Sequence, residues 1–323
     1  MIEKRPGPSQ LSRAVGILPP SMEILRPSGV ADRIDAEAVR FSDLRLHRGT
    51  RHFATLPLNF DDRSRLWGLA QDRTETHLRE AFVRMGGEIR YGTGFEGLTH
   101  VDGGVEVQTS DGTRFYDRVI GADGVRSAVR AALGIPYAGY DLPGQWSIAD
   151  VDSSDWRHPT SFQGFILPGD GVAIVVPLEA ERFRVISSRP DALAALPVRM
   201  NVSNVRRSGS FTISVRQAQR YRMGQVYLAG DAAHCHSPAG GRGMNLGIAD
   251  AADLAARIVS GQEDGYAALE VRAGFDQTGL RERLTDSVRA QNWPLKELKE
   301  APYTLEETFI ALAKSKEETG SKA

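Results

Sequence analysis

Cysteine is almost absent: Cys235 is the only one in 323 residues. A single thiol excludes an internal disulfide framework and a cysteine-rich zinc site. A reducing cytoplasm is the default expectation. Lysine is nearly as scarce. The six are Lys4, Lys296, Lys299, Lys314, Lys316 and Lys322, so residues 5–295 contain none. That gap excludes a Schiff-base lysine in the body of the fold and a phosphate-binding P-loop. Long apolar runs are missing too. The longest stretch, Val172 to Leu178, already contains Pro177, far short of a membrane span of roughly 18 residues. The opening MIEKRPGPSQ has no apolar signal-peptide core. Net charge is also lacking, at −1 from 40 basic and 41 acidic residues. Nothing favours nucleic acid or an anionic membrane as partner.

What is present is ordinary globular composition, 41% hydrophobic and 25% charged, enough for a sizeable core. The length suggests about two domains at roughly 150 residues each. Residues 72–86 read as a helix with Leu78, Phe82 and Met85 on one face, stopped at Gly86-Gly87. Strands are expected at 88–98, 104–110 and 114–121, with turns at Asp102-Gly103-Gly104 and Asp111-Gly112. A helix should resume near Ser127. Residues 140–220 carry short strand-like runs at 162–167, 172–177, 183–187 and 210–215, a texture that predicts an antiparallel sheet; 41–70 looks similar. Gln225 to Gly230 reads as a buried strand. Helices are expected at 244–260 and 266–290, and the tail KSKEETGSKA should fray. The pattern is an interrupted α/β nucleotide-binding domain (1–40, 71–137, 221–300). A β-rich domain (41–70, 138–220) is inserted into it, and 301–323 is a tail.

Two segments carry chemistry. Gly230-Asp231-Ala232-Ala233-His234 leads into Ser237-Pro238-Ala239-Gly240-Gly241-Arg242-Gly243-Met244-Asn245. It lies between a buried strand and a helix N-terminus, whose N–H groups and partial positive charge attract anions. Gly240, Gly241, Gly243 and Gly247 let a ligand approach the backbone. Asp231 is placed to accept from hydroxyls at the strand's C-terminal end. The segment reads as an anion- or polyol-binding loop, or as a plain glycine-rich connection. The second segment is Val119-Ile120-Gly121-Ala122-Asp123-Gly124-Val125-Arg126-Ser127-Ala128-Val129-Arg130. It is again strand, acidic turn and helix, with Arg126 and Arg130 readable as a solvated face.

In this order and spacing the pair resembles the signature motifs of the single-component FAD-dependent aromatic hydroxylases, the flavoprotein monooxygenases of the p-hydroxybenzoate hydroxylase fold. The resemblance extends over about residues 1–290. It implies an α/β fold: a Rossmann-like FAD-binding domain with an inserted antiparallel substrate domain. It implies FAD as cofactor, NADH or NADPH as transient electron donor, O₂ as co-substrate and a small aromatic or polyketide-like substrate. In such enzymes a flavin C4a-hydroperoxide transfers its distal oxygen. By the same resemblance Asp231 binds the ribityl chain and Pro238 packs beside the isoalloxazine. The backbone N–H groups of Gly243, Met244 and Asn245 face the pyrimidine end, stabilising charge on the reduced ring. Gly230, Gly240 and Gly241 complete that loop. Asp123 and Gly124 lie near the pyrophosphate and the NAD(P)H path, Arg13 contacts the cofactor, and Gln71 touches the FAD linker. No acid–base catalyst is implied.

The N-terminus departs from that pattern. Glu3 resembles the acid that binds the adenosine ribose, but the family's Gly-x-Gly-x-x-Gly should lie about 20 residues earlier. About 30 residues of strand, loop and helix, with the helix N-terminus that holds pyrophosphate, have no counterpart. A truncated gene model or fragment is expected. The alternative is a shortened protein that binds FAD weakly or not at all.

Other features have plainer readings. His234-Cys235-His236 does not predict a metal site, because neighbours in an extended segment point to opposite sides. Trp67, Trp146, Trp156 and Trp293 are expected in cores or domain contacts. Arg206-Arg207 reads as a solvated edge rather than a phosphate site, and His47 and His52 read as surface residues, with a place facing substrate as the alternative. A flavin halogenase of this fold would need a lysine where none exists. A flavin-dependent reductase and a pseudo-enzyme binding module stay open.

Overall fold

The computed structural model describes residues 1–9, 14–58, 66–236 and 241–260, all within one unit, Met1–Glu263. The expected helix at 266–290 and the tail lie outside the described residues. The chain opens with β1 (Ile2–Glu3), β2 (Gly16–Ile17), α1 (Pro19–Leu25) and α2 (Val30–Glu37). Next come β3 (Val39–Arg40), β4 (Asp43–Arg48), β5 (Arg51–Pro57), β6 (Trp67–Gly68) and α3 (Gln71–Arg84). β7 (Arg90–Tyr91), β8 (Phe95–Val101), β9 (Gly104–Thr109), β10 (Gly112–Tyr116), β11 (Val119–Gly121) and α4 (Ala128–Ala132) follow. The β-rich stretch holds β12 (Tyr137–Asp141), β13 (Trp146–Asp152), β14 (Phe162–Leu167), β15 (Gly171–Pro177), β16 (Arg182–Ser187), β17 (Asn204–Phe211) and β18 (Ser214–Ala218). The described chain closes with β19 (Arg222–Met223), β20 (Val226–Leu228), β21 (His234–Cys235) and α5 (Arg242–Ser260). Among the described residues no helix is long and apolar enough to cross a membrane.

The α/β part contains two parallel pairs, β1·β7 and β11·β20, in separate sheets. Val226, Tyr227 and Leu228 are all buried, as expected of a strand covered on both faces. α4 lies close against β11: a Cβ on Gly121 would come within 2.8 Å of Val129. Ser127 caps α4 by accepting from the Arg130 N–H at 2.9 Å.

α3 begins within a residue of the expected start and stops before Gly86, whose φ is +90°. Of the expected face only Leu78 packs into the core. Thr74, His77 and Ala81 are buried, whereas Phe82 and Met85 are 41% and 73% exposed. The reason is polar pairing with α2: the Glu37 carboxylate accepts from Arg73 and bonds the His77 ring at 2.7 Å. Thr74, His77, Leu78 and Ala81 thus share the buried face, and Phe82 and Met85 lie outside it.

The seven-stranded sheet runs β17-β13-β16-β15-β14-β4-β5. It is antiparallel except that β4 pairs parallel with β14. The expected run 210–215 divides between β17 and β18. Side chains alternate between two faces. On the front, Phe162, Ile174 and Val176 pack with Val15, Phe41, Ala70 and Leu178, joining the sheet to the segment ahead of α3. On the back, Phe165, Ala173, Val175 and Val185 pack with Trp156 and apolar residues from 192–202.

Candidate functional site

β20 leads into a single 3₁₀ turn, Gly230–Ala232, entered through Gly230 at φ +57°. Its backbone is pinned on several sides. The Ala229 N–H donates to the Gly121 carbonyl at 3.0 Å, so the turn starts beside the end of β11. Asp250, on α5, accepts on Oδ2 from the Gly230 N–H at 2.8 Å and from His234 Nε2 at 2.6 Å. A carboxylate acceptor fixes the His234 proton on Nε2, so Nδ1 accepts from His236 Nε2 at 3.1 Å. Tyr137 donates its hydroxyl to the Asp231 carbonyl at 2.8 Å. Burial raises the Tyr137 pKa, which keeps that donor protonated. The Asp231 residue itself remains exposed.

Arg130 ties the two motif segments together. The sequence allowed it a solvated helix face; the structure buries it to 8% exposure. Its guanidinium donates to the Ala232 carbonyl and to the Val125 carbonyl, both at 2.8 Å. It also lies 3.7 Å from the centre of the Tyr137 ring, a cation–π contact.

The N-terminal turn of α5 is held by Asn245, which is 7% exposed. Oδ1 accepts from the Leu18 N–H at 2.9 Å and the Ser21 hydroxyl at 2.8 Å. Nδ2 donates to the Gly16 carbonyl at 2.9 Å and the Gly241 carbonyl at 2.8 Å. Its side chain is therefore a four-bond staple, and Met244 packs into the α1–α2 core. Only backbone at these positions is left to face a ligand. At Gly124, Gly241 and Gly243 an added Cβ would meet no heavy atom within 4 Å. That space lies against the backbone of both motif segments.

The segment just before β2 links this end to a second cluster. The Ala14 N–H donates to Gln71 Oε1 at 2.9 Å, and Gln71 Nε2 donates to Glu75 Oε1 at 2.8 Å. Burial pushes the Glu75 carboxyl up. Arg5 lies among its electrostatic neighbours and holds Glu3 through a 2.9 Å backbone bond and a 2.8 Å ion pair. The Arg5 guanidinium draws the Glu3 carboxyl below its ordinary range. Asp123 caps α4, accepting on Oδ2 from the Ala128 N–H at 2.7 Å and the Val129 N–H at 3.2 Å.

The front of the sheet adjoins this cluster. Asp150 and Arg184 stand directly opposite on β13 and β16 and form two bonds of 2.7 and 2.8 Å. Arg184 is wholly buried. Arg182 reaches Asp72, the neighbour of Gln71, at 3.5 Å. Beside these charges the front carries apolar rows, Ile148, Ile186 and Ile174 across three strands and Ile166 with Val172 across two.

Among the site residues expected from the sequence, Gly230 and Asp231 lie on the β20 turn, and Gly241, Gly243, Met244 and Asn245 at the start of α5, the helix whose Gly247 and Asp250 touch that turn. Glu3 and Gln71 share the second cluster, and Asp123 and Gly124 lie at the end of β11. Arg13, Pro238 and Gly240 lie outside the described residues. Arg130 was visible in its motif, but its role was not. Tyr137 and Asp250 carried no local signal.

The sequence matches the profile of a family described as FAD binding domain over residues 1–199 and 191–265. It is 32% identical over 296 residues to the rifampicin monooxygenase of Streptomyces venezuelae, covering 83% of this chain and 60% of that protein. The crystal structure of p-nitrophenol 4-monooxygenase from Pseudomonas putida DLL-E4 superimposes with a TM-score of 0.73 at 26% identity, covering 82% of this chain and 74% of that one. A complex of aklavinone-11 hydroxylase with FAD and aklavinone gives 0.66 at 28% identity, covering 81% and 58%. The chain spans roughly half to three-fifths of the curated relatives it matches.

Proposed function

This chain belongs to the family of FAD-binding domains, and we propose that it forms the flavin- and substrate-binding part of a monooxygenase. The reaction would hydroxylate an aromatic or polyketide-like small molecule at the expense of NADH or NADPH and O₂. The observation that carries this reading is the pinned β20 turn beside a stapled α5 N-terminus, with open space against Gly124, Gly241 and Gly243.

The residues fit FAD. Asp231 would accept from the ribityl hydroxyls. Gly241, Gly243 and the backbone of Met244 and Asn245 would present N–H groups to the pyrimidine edge, with Pro238 and Gly240 in the same loop. Asp123 and Gly124 would approach the pyrophosphate, and Arg13, Gln71 and Glu3 the linker and ribose. Bound FAD supplies the redox and oxygen chemistry. The chain's own residues orient it, favour negative charge at the helix N-terminus and exclude water. The isoleucine rows on the front of the sheet offer an apolar wall for an aromatic substrate.

The test is a visible spectrum after FAD addition and gel filtration, followed by an oxygen electrode with NADH or NADPH. Retained flavin bands and substrate-dependent O₂ uptake support the reading. Substrate reduction without O₂ uptake replaces it with a reductase. A second reading, weak FAD binding, is favoured by the two parallel pairs standing in separate sheets, with Ile120 of β11 52% exposed. Flavin lost on the column would select it.

A further inference from the structure

We propose that the back of the seven-stranded sheet, between β4 and the 153–161 loop, holds a second binding site, one for a small oxyanion such as a phosphate or carboxylate group. Asp43, Arg45 and His47 alternate along β4 and so share this face. Each has one side-chain atom shut off from water with no hydrogen-bond partner: Asp43 Oδ1, Arg45 Nε and His47 Nδ1. Trp156 Nε1, from the adjoining loop, is a fourth. These are half of the eight such atoms among the described residues. Leaving one buried polar atom unpaired costs about 1–3 kcal/mol, so three in alternation on β4, with a fourth from the adjoining loop, point to an occupant, one whose own hydroxyl group would have to donate to Asp43 Oδ1.

The charge around them selects its chemistry. His52 and His158 lie near Arg45 and His47, and Arg157 lies near His158; the His47 and His52 ring centres are 5.3 Å apart. The carboxylate set among these groups is Asp43, which takes the Ser42 hydroxyl at 2.9 Å. Burial holds His47 and His158 towards the neutral form, so the fixed charges are the guanidiniums of Arg45 and Arg157 against the Asp43 carboxylate, and two of the orphaned atoms are obligate donors. Two guanidiniums against one carboxylate favour an oxyanion over a metal ion. The frame is built: His47 stacks on Phe165 at 4.6 Å, His52 bonds the Thr55 hydroxyl at 2.8 Å, and His158 is kept at φ +60°, a costly conformation for a non-glycine residue. Leu44 and Leu46 of the same strand face the front, so this site is separate from the flavin loop and does not rest on its assignment.

The experiment titrates inorganic phosphate into the full 323-residue chain with labelled histidine, with and without FAD, at constant ionic strength against chloride. Ring resonances are followed by NMR. The seven histidines supply their own controls. His47, His52 and His158 are expected to shift saturably and alike in both flavin states, with a midpoint of about 1 mM or lower, while His77 and His100 stay still. Arg45→Gln is expected to weaken binding about tenfold. Arg157→Gln, on an exposed loop residue, is expected to weaken it several-fold and covers the case in which the Arg45 variant fails to fold. The proposal is overturned by absent or non-saturating shifts, which an ordered water alone would give. Equal shifts with chloride, shifts confined to His234 and His236, or unchanged affinity in both variants would overturn it equally.

Discussion

Replacing Asn245 with alanine tests the central geometry most directly. The substitution removes four hydrogen bonds, to Leu18, Ser21, Gly16 and Gly241, from a side chain that is 7% exposed. Each neutral bond contributes about 1 kcal/mol net, an upper sum near 4 kcal/mol. Water reaching the half-buried Gly241 end returns part of that, so a loss of about 3 kcal/mol is expected. Asn245→Asp keeps the acceptor but turns an oxygen toward two carbonyls, and should cost at least as much. Urea unfolding followed by tryptophan fluorescence measures the loss. FAD titration of the same variants measures the second consequence, because the first turn of α5 loses its anchor: affinity should fall about tenfold or more. A loss below about 1 kcal/mol would refute the stability reasoning. The full loss with an unchanged FAD dissociation constant would refute the link between the staple and the cofactor site.

Asp231→Ala should weaken FAD binding at least about tenfold, the size of one bond to a charged group, while shifting the urea stability by less than about 1 kcal/mol. For the buried pair, Asp150→Leu or Arg184→Met alone should cost about 3–5 kcal/mol, because one charge stays buried without its bidentate partner, Arg182 at 3.9 Å from Asp150 being a weaker substitute; the two substitutions together should recover most of it. A simple sum of the two singles in a double-mutant cycle would contradict that coupling. Glu75 gives a pH test. Its folded pKa is raised by burial, so the folded state disfavours the carboxylate, and stability falls as pH rises through the unfolded value toward the folded one. Glu75→Gln should therefore raise the melting temperature at neutral pH, with the gain vanishing below about pH 4. A gain independent of pH would point to packing instead.

The sequence by itself determined the two motif segments, their order, and the alternation of α/β and β-rich texture. Those signals are local. A buried strand is apolar throughout, as at Val226–Leu228; glycines mark the turns at Gly86 and Gly230; and residues close in the chain set the caps at Ser127 and Asp123. What tertiary structure decided are pairings between distant residues. α3 buries Thr74 and His77 because Glu37 lies beside them, against its own apolar periodicity. Arg130 is a bracket because Ala232, 102 residues away, supplies a carbonyl. Asn245 is a staple because Gly16 lies 229 residues earlier. Asp250 and Tyr137 acquire roles on the β20 turn in the same way. Hydrophobic period and turn chemistry are written in neighbouring residues. A hydrogen bond between remote polar groups depends on backbone brought together by the whole core, and no short window of sequence encodes it.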